Sequence, residues 1–116
     1  NLINGRKRLG ITAFMSFAAA AQAWPNKRLQ ERLLKAVRNA KAPIFLIQSA
    51  NDYSTEPSNV LGPVIQANDP RNRARIYPPF GNSNQEGRGH FSTREAGIEV
   101  WGHNVLSFIN SVWLDK

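Results

Sequence analysis

Residues 42–53 read APIFLIQSANDY, and this stretch decides the fold. Its residues 44–48, IFLIQ, form a short apolar run that follows Pro43. A continuous run of this length is typical of a β-strand buried on both faces, as strands are in a parallel sheet. The polar residues 49–54 end the run, and they include Asp52. The stretch therefore predicts a central parallel strand with a carboxylate just beyond its carboxyl end.

Two further segments predict strands. Residues 11–18, ITAFMSFA, are rich in β-branched and aromatic side chains and carry no charge, which is typical of a buried strand. Residues 73–77, RARIY, alternate between charged and uncharged side chains, and the two prolines at 78–79 end that segment. The sequence therefore predicts three strands in all.

Segments with helical spacing separate and follow these strands. Residues 26–41 repeat apolar side chains every three or four positions, and Asn26 is suited to cap the helix. Residues 57–67 also favour a helix, although Gly62-Pro63 would interrupt it. The segment 98–113 predicts an amphipathic helix that packs on a flat apolar surface. Its apolar face consists of Ile98, Trp101, Val105, Phe108, Ile109 and Val112.

The order strand, helix, strand, helix, strand, loop, helix predicts an α/β fold of about three parallel strands with flanking helices. We expect one domain over residues 1–116. The chain begins with Asn1 and its single methionine is Met15, so we expect a processed product or part of a longer protein. Because a small parallel sheet leaves open edges, we expect strand 11–18 to pair with another copy or with a complementary N-terminal half.

Composition excludes several classes of site. The chain has no Cys and two His, which argues against a disulfide framework and against a metal site. The absence of Cys is compatible with a reducing compartment and favours the cytoplasm. No apolar stretch is long enough to predict a membrane span. The net charge is +7, but the 15 cations are scattered, which indicates solvated faces rather than nucleic-acid binding.

The candidate chemistry lies beyond the predicted strand ends. Functional groups of open parallel sheets cluster beyond the carboxyl ends of the strands. Asp52 follows strand 44–48, and His90 lies in the long polar loop 80–95 after strand 73–77. A carboxylate beside an imidazole fixes its tautomer and supports the imidazolium, which is half of a nucleophilic triad. A turn aspartate and a surface histidine are the structural alternatives. Four aromatic residues near the same strand ends are candidates for a substrate pocket, or for loop packing: Trp24, Tyr53, Phe80 and Phe91.

These segments resemble the C-terminal part of α/β-hydrolases, especially the dienelactone-hydrolase-like branch. Residues 42–53 resemble its strand and acid-bearing turn, whereas YPPFG at 77–81 and EGRGHF at 86–91 resemble its last strand and histidine loop. Residues 11–24 and 98–113 resemble the preceding strand and the closing helix, so the resemblance covers about residues 11–113. It implies that Asp52 is the triad acid and His90 the general base. It also implies that Gly87 and Gly89 are the small residues that let the loop bring the histidine over the site.

The chain departs from that family in one major respect. It contains no G-x-S-x-G nucleophile elbow and no Cys equivalent, and in the family both the elbow and the oxyanion-hole donors come earlier in the chain. None of the serines at 16, 49, 54, 92 and 107 has the sequence of an elbow. The resemblance implies a hydrolase of carboxylic esters or lactones that needs no cofactor, acts on a small-molecule ester and receives its Ser or Cys nucleophile from another segment. The alternatives are an inactive or minimal fragment acting as an oligomeric or interaction module, a weak esterase with an improvised Ser, and a basic module that binds anions.

Overall fold

The computed structural model describes residues 12–82, 88–93 and 95–114. These residues form a three-stranded parallel sheet with flanking helices, which confirms the predicted α/β class. The elements in chain order are β1 (Phe14–Phe17), α1 (Lys27–Asn39), β2 (Ile44–Ser49), α2 (Glu56–Asn68), β3 (Arg73–Tyr77) and α3 (Ile98–Leu114), with short 3-10 turns between β3 and α3.

Strand β2 is the centre of the sheet and lies between β1 and β3. All six of its residues are buried, as the apolar run predicted. Ile44 and Leu46 belong to the core on the α1–α2 face, whereas Phe45 and Ile47 belong to the core on the α3 face. The alternation of side chains along a strand explains this division, because successive residues point to opposite faces of the sheet.

The helices on the first face begin and end near the predicted positions. The Asn26 side chain accepts a hydrogen bond from the Leu29 N–H at 3.1 Å, which confirms it as the N-cap of α1. Helix α2 continues through Gly62 and Pro63, so the predicted interruption is wrong. A Cβ added at Gly62 would lie 3.2 Å from the Ala74 Cβ, so glycine lets α2 approach β3 closely. This packing outweighs the local tendency of Gly and Pro to end a helix.

Helix α3 covers the other face, but with a narrower apolar stripe than the spacing predicted. Val105, Phe108 and Val112 are buried, whereas Ile98 and Ile109 are exposed. The sheet has only three strands, so only the centre of the helical face finds a partner. Within the part of the chain that the structure describes, no helix is long and apolar enough to cross a membrane.

Two polar contacts fix the relative positions of the elements. Burial raises the pKa of the Tyr77 phenol above its ordinary value, and the protonated hydroxyl donates to Asn104 Oδ1 at 2.8 Å, which joins β3 to α3. The Asn72 amide joins β2 to α2, because its Oδ1 accepts from the Ile44 N–H at 2.6 Å and its Nδ2 donates to the Ile65 carbonyl at 2.7 Å.

We predict that Asn72→Ala lowers the free energy of unfolding by about 1–3 kcal/mol. The variant leaves the buried Ile44 N–H without its acceptor and removes one of the two donors to the Ile65 carbonyl, which keeps the Asp69 N–H. Asn59→Ala is the matched control, since it removes only an exposed hydrogen bond to Thr55 Oγ1 and should cost less than about 0.5 kcal/mol. Urea unfolding measures both values. Equal losses in the two variants would contradict the structural role of Asn72.

Candidate functional site

Asp52 lies in the turn that follows β2. The Asp52 N–H donates to the Ser49 carbonyl at 3.1 Å, which folds the chain back over the carboxyl end of the strand. The Asp52 side chain is completely buried, with 0% of its surface exposed. A buried carboxylate is costly unless its oxygens accept hydrogen bonds, so the partners of this side chain decide whether the arrangement is stable.

His90 is brought to Asp52 by the loop between β3 and α3. It lies in the 3-10 turn Arg88–Thr93, and its Nδ1 is 3.0 Å from Asp52 Oδ1. A carboxylate oxygen can only accept, so Nδ1 carries the proton and donates it. The His90 side chain is 42% exposed, whereas its carboxylate partner is buried. The imidazole is therefore held from the protein side and can be reached from solvent.

The remaining contacts of the Asp52 carboxylate come from its own strand and turn. Its Oδ1 also accepts from the Tyr53 N–H at 2.7 Å, and its Oδ2 accepts from Gln48 Nε2 at 3.0 Å. Both oxygens therefore have donors, which compensates the burial of the charge. The sequence prediction missed Gln48, because its position at the end of an apolar run gave no sign that its side chain contacts the carboxylate.

Asn51 connects the turn after β2 to two positions in the histidine loop. Its side-chain oxygen accepts from the Phe80 N–H at 2.8 Å, and its Nδ2 donates to the Phe80 carbonyl at 3.1 Å. Its own carbonyl accepts from the Gly89 N–H at 3.0 Å. These bonds hold the start of the loop and the residue before His90 against one turn. Asn51 was also missed, because a turn asparagine is ordinary.

Gly89 has a steric role in this arrangement. A Cβ added there would lie 2.7 Å from the Asp52 backbone nitrogen and closer still to the Asn51 side-chain oxygen. Only glycine therefore lets the histidine loop approach the Asp52 turn this closely. Gly87, which the resemblance pairs with Gly89, lies outside the described residues.

The four predicted pocket residues are placed differently. Tyr53 is 39% exposed, and the centroid of its ring lies 5.4 Å from that of His90. Phe80 is partly buried at the Asn51 contact. Trp24 is buried in the core cluster on the α1–α2 face, so its placement is that of a core residue. The side chain of Phe91 lies outside what the structure describes.

The described serines near the pair have structural contacts. Ser49 Oγ donates to Ser92 Oγ at 2.9 Å, and both side chains are buried. His103 is exposed on α3, as expected for a residue without a role at this site. Among residues 12–82, 88–93 and 95–114, no group of three or more His, Asp or Glu side chains could hold a metal ion. Of the predicted site residues, Asp52 and His90 are the two that the structure joins by a hydrogen bond.

We predict that Gly89→Ala lowers the free energy of unfolding by about 1–3 kcal/mol, because the added methyl group forces the loop away from the Asp52 turn. Gly102→Ala in α3 is the control, and we expect it not to lower the free energy of unfolding. Its added Cβ would lie 3.3 Å from a methyl carbon of Ile98, and alanine is favoured over glycine in a helix by about 1 kcal/mol. Urea unfolding of both variants tests this. A Gly89→Ala protein as stable as the wild type would show that the close approach is not required.

No protein-family model matches this chain, and neither a curated protein nor a solved structure matches it. The resemblance to α/β-hydrolases therefore stays a prediction from the residues themselves, and the function is argued from the geometry of the site.

Proposed function

We propose that Asp52 and His90 are the acid and the general base of an enzyme that hydrolyses carboxylic esters or lactones. One observation carries the proposal: a fully buried carboxylate accepts a hydrogen bond at 3.0 Å from the Nδ1 of a partly exposed imidazole. A structural ion pair needs no exposed imidazole, whereas a general base must reach its substrate. The sequence resemblance of the two turns to those of α/β-hydrolases supports the same function.

In the proposed reaction each group has one part. His90, through Nε2, takes the proton of a Ser or Cys nucleophile as that atom bonds to the ester carbonyl, and then gives this proton to the leaving alcohol. In the second half of the reaction His90 takes a proton from water as the water oxygen bonds to the acyl carbon. The acyl–enzyme bond then breaks, the carboxylic acid leaves, and His90 returns the proton to the Ser or Cys. Asp52 stabilises the imidazolium in both halves. No cofactor takes part in these steps.

The nucleophile would come from a polypeptide segment outside the described residues. Ser49 and Ser92 are buried in a hydrogen bond to each other, so neither presents a free hydroxyl to His90. The reaction therefore requires another strand or loop that ends at the carboxyl end of the sheet, beside Asp52 and His90.

The two outer edges of the sheet differ in a way that indicates where that segment packs. The edge strand β3 carries Arg73 and Arg75, and charged side chains protect an edge from pairing with other strands. The edge strand β1, FMSF, has no charge and leaves Phe14 and Met15 exposed by 44% and 39%. Edge β1 therefore lacks the protection that edge β3 has.

An apolar groove lies on the face of the sheet that carries α1 and α2. It has a volume of about 240 Å³ and is lined by side chains of β1, β2 and both helices. We infer that a parallel strand pairs with β1 and that the helix after it fills this groove. Such a strand would end at the same end of the sheet as the turns of Asp52 and His90, because neighbouring strands would run parallel. It would be separated from β2 by β1, at roughly 10 Å, since neighbouring strands lie about 4.8 Å apart. The groove is lined by residues that include Phe14, Ser16, Leu33, Ala36, Val37 and Leu61.

We predict that the complete product of the gene hydrolyses p-nitrophenyl butyrate and that His90→Ala lowers its kcat/KM by about 10³-fold, because the general base is lost. Asp52→Asn should cost a similar factor, since the imidazole loses its anionic partner. His103→Ala is the matched control and should leave the rate unchanged, because His103 is exposed on α3.

Covalent labelling by a fluorophosphonate probe reports on the nucleophile separately. The proposal expects labelling of the wild type and of His103→Ala, and little labelling of His90→Ala. Equal hydrolysis by wild type and His90→Ala, or no hydrolysis of esters and lactones by the complete product, would contradict the enzymatic function. No hydrolysis by the complete product, together with a β1 edge that is paired with another strand, would favour an interaction module.

We predict that amide hydrogen exchange detects the strand that pairs with β1. The Phe14 and Ala18 N–H groups donate to the Pro43 and Ile47 carbonyls, so the alternate Met15 and Phe17 N–H groups point to the outer edge of β1. In the complete gene product, Met15 and Phe17 should exchange at least about 100-fold more slowly than in an unstructured chain. Phe14 and Ser16 are the internal controls. Protection of these controls, with unprotected Met15 and Phe17, would show that the edge stays open.

A further inference from the structure

Gln48 carries a buried polar side chain that contacts the Asp52 carboxylate. It occupies the second-last position of β2 and is 2% exposed. An amide in this position needs partners for its oxygen and for both of its N–H groups, because an unpaired polar group is costly in the interior. Its partners therefore show what the residue does.

The orientation of the Gln48 amide follows from those partners. The Asp52 carboxylate and the Ser54 carbonyl can only accept, so the amide nitrogen must face them; the distances from Nε2 are 3.0 Å and 2.5 Å. The amide oxygen then faces helix α2 and accepts from Ser58 Oγ at 2.5 Å. In this one orientation, both the amide nitrogen and the amide oxygen have hydrogen-bond partners.

We propose that Gln48 is a positioning residue that acts on His90 through Asp52. By holding Asp52 Oδ2, it keeps Oδ1 directed at His90 Nδ1, and the proton of the neutral imidazole stays on Nδ1. Nε2 then keeps the lone pair that a general base requires. Ser58 holds Gln48 in turn, so a chain of hydrogen bonds runs from α2 through Gln48 and Asp52 to the imidazole. The catalytic meaning of this chain rests on the proposed function.

The tautomer of His90 is the property that distinguishes positioning from a structural role. The ¹⁵N chemical shifts of the two ring nitrogens give the ratio of the two tautomers, and they are measured in the folded protein at about pH 8.5, where an ordinary imidazole is neutral. Wild type should hold the proton mainly on Nδ1. In Gln48→Leu the ratio of Nδ1–H to Nε2–H should fall roughly fivefold, which corresponds to the usual net contribution of one hydrogen bond.

Two further variants keep the test decisive. Ile65→Val alters a fully buried side chain on α2 that belongs to the apolar core, so it should leave the tautomer ratio unchanged. Ser58→Ala removes the hydrogen bond from α2 but leaves the amide in place, and its ratio should fall by less than that of Gln48→Leu. Ser58→Ala also gives the answer if Gln48→Leu does not fold.

An unchanged ratio in both folded variants, or in Ser58→Ala alone where Gln48→Leu does not fold, would overturn the positioning role. The tautomer is measured without substrate, so its result separates the two proposals. A shifted ratio in a protein without esterase activity would overturn the proposed reaction and retain the positioning by Gln48. An active esterase whose tautomer ratio does not change in these variants would overturn the positioning by Gln48 and retain the proposed reaction.

Discussion

The hydrogen bond between Asp52 and His90 is the contact on which the rest of the site depends. It joins residues 38 positions apart in the sequence, and it exists because β2 and β3 run parallel and release their chains at the same end of the sheet. The turn after β2 is short and tied back to its strand, whereas the loop after β3 is long. The carboxylate is thus the fixed partner, and the loop must be held so that the imidazole reaches it.

A small set of polar groups holds the histidine loop in place, and one arrangement satisfies the hydrogen-bonding needs of all of them. Asn51 binds the start of the histidine loop and the residue before His90, and the absence of a side chain at Gly89 lets the loop approach. Gln48 and the Tyr53 N–H supply donors to the buried carboxylate. Each contact satisfies a group whose burial would otherwise be unfavourable, so the polar network belongs to the fold as much as to the site.

Much of the fold could be predicted from local patterns. The apolar run of β2, the alternation in β3 and the Asn26 cap indicated elements that the structure contains, and the rule that sites lie beyond strand ends brought Asp52 and His90 into consideration together. The helix at α2 was predicted, but its continuation through Gly62 and Pro63 was not, because the packing of Gly62 against β3 leaves no local pattern. Gln48 and Asn51 were not predicted, because the side-chain contacts that give them their roles form only when the turn after β2 is folded. Trp24 could not be told from a pocket residue until its core neighbours were known.

The central claim is that Asp52 and His90 interact energetically in the folded protein. A double-mutant cycle with Asp52→Ala, His90→Ala and the double variant, measured by urea unfolding, gives this interaction directly. The account predicts a coupling energy of about 1–3 kcal/mol, as expected for groups in contact whose hydrogen bond has a buried charged partner. Losses of stability that add to within about 0.5 kcal/mol would mean that the two side chains do not interact, and would contradict the account.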